Sequence, residues 1–171
     1  VLWYTLLIAA VAIERLVELV VSKRNLAWSL ARGGRESGFG HYPAMVILHS
    51  ALLVGCLVEA FTLHRSFIPA LGWPMLALVV LSQSLRWWCI TTLGHQWNTR
   101  IVVVPGAQRV GAGPYRFLSH PNYVAVVVEG IALPLVHSAW ITALVFSVLN
   151  AVLLTIRVRA EAAALGDLVV G

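Results

Sequence analysis

The chain has 171 residues, of which 60% are hydrophobic and 11% charged, with a mean hydropathy of +0.86 and a formal net charge of +5. A soluble domain carries about 25% charged residues, so the composition excludes an ordinary soluble domain and points to a multi-span membrane protein. The basic residues sit in short loops between apolar runs and form no continuous stripe, which fits membrane orientation and argues against a nucleic-acid partner.

Five apolar runs approach the roughly 20 residues that a helix needs to cross the hydrocarbon core. Leu2 to Val21 comes first; it contains Glu14, Arg15 and Glu18 and lacks a basic leader, so it reads as a retained span and not as a cleavable signal peptide. Ser22 to Pro43 reads as a polar loop broken at Gly33-Gly34, with Pro43 placed to start the next helix. The second span covers Ala44 to Leu63. After a turn at His64-Arg65, a third runs from Ile68 to Leu93, long enough to tilt or to kink at Pro74. Val124 to Val136 and Ile141 to Arg157 then form a close pair across His137-Ser138, the first of them short unless it takes in Asn122 and Tyr123. Cys56 and Cys89 each lie inside an apolar run, at a spacing that suits neither a disulfide framework nor a metal site. Nothing marks a linker or an internal repeat, so residues 1–171 are read as one domain.

Five spans place the loops alternately on two sides. Lys23, Arg24, Arg32, Arg35, Arg100, Arg109, Arg116, Arg157 and Arg159 share one side, against Arg65 alone on the other. By the positive-inside rule the amino terminus lies outside, and the central loop and carboxyl terminus face the cytoplasm. An ionisable group within the bilayer costs about 2.5–3.5 kcal/mol, which makes it a functional candidate by default. Glu14, Arg15, Glu18, Arg86, Glu129 and Arg157 all fall in the cytoplasmic halves of their spans or near them and outline a polar pocket. A structural alternative stands beside this: Arg15 and Glu18, three apart, can neutralise each other on one helix face, and Arg86 can snorkel beside Trp87 and Trp88.

The longest interval that is not a span runs from Gly94 to Tyr123. It is rich in His, Arg, Asn and Tyr and bent by Pro105, Pro114 and Pro121. Loops beyond about 12–15 residues are usually functional or disordered, and the apolar run Ile101 to Val104 argues for order. An ordered, cavity-forming segment is expected. Trp97 and Trp140 read as interface anchors, and His49, His64 and His137 as bystanders whose spacing suits neither zinc nor haem.

The motif GPYRFLSHPNY, followed some thirty residues later by IRVRAEAAAL, resembles the isoprenylcysteine carboxyl methyltransferase family of integral membrane enzymes. The family pattern is carried here by Gly113, Tyr115, His120, Pro121 and Tyr123, and then by Arg157, Glu161 and Leu165. Ser119 stands where the pattern has arginine, and Ala162 where it has a second glutamate. The amino-terminal half, with RNLAWSLARGG and HYPAMVILH, looks more like a bacterial branch found with type III polyketide synthases. The resemblance implies an all-α membrane protein with five transmembrane helices. Its cytoplasmic pocket for S-adenosyl-L-methionine would be formed by residues 94–123 and the last two helices, so that 94–171 is the cofactor-binding and catalytic half. Cofactor contacts are implied at Arg100, Ala107, Gln108, Arg109, Val110, Tyr115, His120, Pro121, Asn122, Tyr123 and Glu161, with Arg157 facing the methyl acceptor. Glu18, Arg15 and His41 are further candidates for the acceptor side.

A carboxylate acceptor needs mainly orientation by Arg157. A phenolic one, with a pKa near 10, needs its proton removed, and His120, His41 and Glu161 are the available bases. The leading reading is an O-methyltransferase acting on a lipophilic acceptor, an alkylresorcinol or alkylpyrone hydroxyl ahead of a prenylcysteine carboxylate. A nicotinamide-dependent membrane reductase and a non-catalytic membrane module are the readings of other classes.

Overall fold

The computed structural model describes residues 2–107 and 110–170, the side chains of 167–170 excepted. Five helices account for most of it: α1 (Leu2–Leu30), α2 (Tyr42–Thr62), α3 (Pro69–Leu93), α4 (Pro121–Leu135) and α5 (Trp140–Val170). Three of these segments are long and apolar enough to cross a membrane, Tyr42–Thr62, Pro69–Gln96 and Trp140–Gly166, and α4 is a shorter apolar helix. The protein is an all-α membrane protein, as the composition requires. Two three-residue strands, β1 (Arg35–Ser37) and β2 (Ile101–Val103), add a small antiparallel ribbon in which Glu36 faces Val102.

Three boundaries differ from the sequence expectation, one of them at α5, which is expected to end at Arg157 and continues to Val170. The first helix does not stop at Val21 but continues to Leu30, taking in much of what reads as a polar loop. Glu18, Ser22, Asn25 and Ser29 are all buried and recur at helical spacing, so the extension turns a polar stripe inward where a hydropathy reading sees only loss of apolar residues. The fourth helix begins at Pro121, which brings Asn122 and Tyr123 onto its first turn.

The two ends of the bundle are built differently. Toward the end that carries Leu2, Thr62, Pro69, Leu135 and Trp140, an apolar core packs Tyr4, Ile8, Leu52, Cys56, Val79, Leu133, Val136 and Phe146. Tyr4 donates to the Leu133 carbonyl (2.8 Å), tying the start of α1 to the end of α4. Glu59 of α2 accepts from the Thr142 backbone N–H (2.7 Å) and hydroxyl (2.9 Å), satisfying otherwise orphaned donors in the first turn of α5. Gly130 lets α4 and α5 approach closely: a Cβ there would lie 2.1 Å from the Phe146 ring.

The other half is polar. Arg15 reaches both Glu18 (3.3 Å) and Glu129 (2.6 Å), and Arg86 reaches Glu18 (2.5 Å) and Glu129 (3.7 Å). Both alternatives for Arg15 are thus realised, a same-helix pair and a cross-helix one. Two cations and two anions thus join α1, α3 and α4, with Glu18 and Glu129 each 1% exposed. Trp87 donates to Glu14 (2.7 Å) at the margin of this network.

Removing one member of a buried ion pair strands the other, at a cost of about 3–5 kcal/mol. Glu129→Leu is therefore expected to destabilise the protein by that amount. Glu14→Gln, which keeps a hydrogen-bond acceptor at a half-buried site, should cost about 1 kcal/mol or less. Detergent-denaturation midpoints followed by the helical circular dichroism signal check both, and equal shifts for the two variants would count against the network as a structural centre.

Candidate active site

The segment between α3 and α4 is held in place by the polar stripe of α1. Asn25 donates to the carbonyls of Gly94 (3.1 Å) and Trp97 (2.7 Å). Ser22 donates to Asn98 Oδ1 (2.6 Å), and Asn98 Nδ2 returns a bond to the Ser22 carbonyl (3.0 Å). Thr99 Oγ1 lies 2.7 Å from the Ser22 hydroxyl and 3.1 Å from the Tyr42 hydroxyl. Arg100 pairs with Glu36 (2.7 Å) and lies over the Tyr42 ring (4.3 Å), which couples β1 and β2 to the start of α2. The hydrogen bond that Arg100 donates to Glu36 holds its guanidinium in the charged form.

Beneath this segment lies a cavity of about 440 Å³, within the range of about 300–1,000 Å³ usual for small-molecule and cofactor sites. Arg100, Ala107, Val110, Tyr115, His120, Asn122, Tyr123, Arg157 and Glu161 all line it, as do Arg15 and Glu18 deeper in the bundle. Most of the residues singled out from the sequence thus share one space. Pro121 is buried at the start of α4 but is not on the wall. Gln108 and Arg109 lie outside the described residues.

At the cavity mouth the His120 and Tyr123 rings stack (5.3 Å, 20°), and Tyr123 donates to Glu161 (2.8 Å). Burial, with Cys89 alongside, pushes the Tyr115 hydroxyl up, so it serves as a neutral donor. Asn122 Oδ1 is buried with no hydrogen-bond partner among the described residues. Arg157 is 6% exposed and donates to the Thr99 carbonyl (2.8 Å), while its Nη1 is buried and unbonded. Among the described residues it forms no ion pair, in contrast to Arg15, Arg86 and Arg100. On the far side of His120 and Tyr123 an apolar groove runs between α4 and α5, lined by Val124, Val127, Leu154 and Val158.

Three placements depart from expectation. Trp97 is 2% exposed and lines the cavity, so it is not an interface anchor; Trp140 is 53% exposed, with Arg65 5.5 Å from its ring. His49 is no bystander: it faces the cavity from α2 and meets Phe146 edge-on (5.5 Å). His41 sits at the N-cap of α2, off the cavity wall, its ring close to Gly38. A lone histidine in an apolar run carries no sequence signal that separates these cases.

Fold and site together define a polytopic membrane protein with a cofactor-sized cavity at the end of its bundle. Residues 75–167 match the model of the isoprenylcysteine carboxyl methyltransferase (ICMT) family, and the chain belongs to that family of membrane methyltransferases. It is 38% identical to the uncharacterized protein YpbQ of Bacillus subtilis (strain 168) over 165 residues, 96% of this chain and 97% of that one. An uncharacterized protein of Haemophilus influenzae is 25% identical over 170 residues, 98% of this chain and 97% of that one. No solved structure gives a significant match.

His41 supplies a pH-dependent prediction. Burial, and then the charge of Arg157, lower its pKa below the usual 6.5. A depressed folded-state pKa contributes stability that is present above the unfolded value and lost as pH falls through the folded one. Stability should therefore decline below about pH 6.5. His41→Gln should flatten this part of the profile, read as thermal midpoints between neutral and mildly acidic buffers; an unchanged slope would remove His41 as its source.

Proposed function

We propose that the protein is an S-adenosylmethionine-dependent O-methyltransferase of the bacterial inner membrane, with its site facing the cytoplasm, and that it methylates the hydroxyl of a phenolic polyketide lipid. The observation that carries this reading is the convergence of Tyr115, His120, Asn122, Tyr123 and Glu161 on one end of a cavity that has the buried, unpaired Arg157 at its waist. Family membership supports the reaction class, and nothing in the fold or the comparisons favours the reductase alternative.

The donor set suits the cofactor. The Glu161 carboxylate, steadied by Tyr123, is a partner for a ribose diol, and the orphaned Asn122 Oδ1 is an acceptor for an amino group. The stacked His120 and Tyr123 rings, with the apolar walls of β2 and Val110, suit an adenine. When bound, the cofactor supplies an electrophilic methyl group on a sulfonium.

The remaining work falls to the chain. A phenol near Arg157 is favoured as its phenolate, because an opposite charge lowers the pKa of an acid and does so more strongly away from water. His120, exposed beside Tyr123, is the proton acceptor the geometry offers, since Glu161 is engaged by Tyr123 and His41 stands off the wall. Trp97 and the 94–107 segment cover the site and keep it dry, which holds the acceptor in reach of the methyl group and excludes hydrolysis. The apolar groove between α4 and α5 is suited to an alkyl chain.

Titration of the detergent-solubilised protein with S-adenosylhomocysteine and with NADPH tests the class. The first should bind and the second should not, and the proposal fails if only NADPH binds or if neither does. Glu161→Ala is expected to weaken S-adenosylhomocysteine binding by at least about tenfold with the helical signal intact. Arg157→Ala should lower turnover by roughly 10–100-fold and cofactor affinity much less, with Arg157→Lys intermediate. Equal losses in both quantities would remove Arg157 from the acceptor side.

A further inference from the structure

Below Arg157 the cavity ends on a polar floor. Arg15, Glu18, His49, Arg86 and Asn150 line it, contributed by four different helices. The depths agree. His49 is seven residues into α2 from Tyr42, Arg86 seven residues before the end of α3 at Leu93, and Asn150 seven residues before Arg157. At 1.5 Å per residue the backbone of each lies about 10 Å along its helix from the residue it is counted from.

This layer holds more polar capacity than its own contacts use. Asn150 is 2% exposed and its Oδ1 has no hydrogen-bond partner. Arg86 Nη1 is likewise unbonded, lying 3.7 Å from Glu129 Oε2. His49 makes a ring contact with Phe146 but no hydrogen bond to another described residue, and it lies within the electrostatic reach of Arg15, Arg86 and Arg157. A buried polar atom without a partner costs about 1–3 kcal/mol, so unmatched atoms on one cavity floor point to a ligand group or to water that fills their place.

Charge decides what kind of group. The floor is already balanced, because Arg15 and Arg86 are matched by Glu18 and Glu129. An added anion there would be uncompensated, whereas a neutral hydroxyl can donate to Asn150 Oδ1 or His49 and accept from Arg86. At the waist the balance is the reverse, with Arg157 unpaired.

We propose that this floor is a second oxygen-binding subsite: the acceptor's head carries two oxygen functions, one anionic beside Arg157 and one neutral hydroxyl held by His49, Asn150 and Arg86. The proposal rests on the methyltransferase reading for the role of Arg157, and it makes His49 and Asn150 specificity-determining residues. Gly130 positions them indirectly, since the close approach of Phe146 to α4 sets where α5 and the His49 ring meet.

The test compares pentadecylresorcinol with meta-pentadecylphenol, which differ only in the second hydroxyl. Binding of each to the full-length protein in detergent is followed by tryptophan fluorescence, with and without saturating S-adenosylhomocysteine. The resorcinol should bind about tenfold more tightly or better, as for one well-made hydrogen bond in a dry site. Asn150→Leu and His49→Phe should each erase most of that ratio while S-adenosylhomocysteine affinity stays at the wild-type value. Should Asn150→Leu fail to fold, Asn150→Ala is read by the same ratio. Equal affinities for the two lipids in the wild type, a preference that survives both substitutions, or failure of both lipids to bind would each overturn the subsite. Failure of the methyltransferase reading shows separately, as absence of S-adenosylhomocysteine binding, and leaves the lipid ratio measurable without it.

Discussion

The arrangement of this bundle depends on the four-charge network of Arg15, Glu18, Arg86 and Glu129. Within a bilayer apolar side chains gain little by leaving lipid for protein, so helix association rests on close packing and on polar contacts that have no alternative partner. The network supplies such contacts between α1, α3 and α4 at 2.5 to 3.7 Å. Desolvating four charged groups is costly, and the cost is offset only when all four are together. That condition specifies the relative rotation of three helices far more narrowly than apolar packing would.

The same condition explains why the two halves of the molecule differ. One half is closed by the packing of Tyr4, Leu52, Leu133, Val136 and Phe146. The other is lined by charged and polar side chains, and its cavity is roofed by the segment between α3 and α4. That roof depends on α1: Ser22 and Asn25 hold Trp97, Asn98 and Thr99, and the Thr99 carbonyl in turn takes the bond from Arg157. A polar stripe on the first helix thus reaches, through three residues of the central segment, the guanidinium at the waist of the cavity.

Much of this was legible in the sequence. Long apolar runs located all five helices, and the spacing of Tyr115, His120, Asn122 and Tyr123 against Arg157 and Glu161 foretold that they share a cavity, because a helical hairpin returns its far end to its start. The rest was hidden for physical reasons. Ser22, Asn25 and Ser29 look like loop to a hydropathy reading, although their helical spacing with Glu18 marks an inward-facing stripe. Trp97 was hidden by composition, since a tryptophan beside a span is usually an interfacial residue. The pairing of β1 with β2 joins Glu36 to Val102 across an intervening pair of helices, and short non-local strands leave no periodic signal. His49 lies within α2 and faces the cavity, whereas His64 and His137 fall in the turns that follow α2 and α4, and neither placement is marked by the residue type.

The electrostatic contrast along the cavity carries a consequence for selectivity. In a low-dielectric space an unpaired guanidinium discriminates strongly in favour of an anion, because a neutral ligand leaves it uncompensated. Arg157 therefore ties occupancy of the waist to ionisation of the acceptor. The balanced floor does the opposite, since it admits a hydroxyl and resists a second negative charge. A lipid head with one ionisable and one neutral oxygen satisfies both levels at once, whereas a head with a single oxygen leaves one level unmatched, and a doubly ionised head is rejected by the floor. Two levels set seven residues apart along α5 can thus distinguish acceptors that share the same hydrophobic tail, a distinction the apolar groove between α4 and α5 has no means to make.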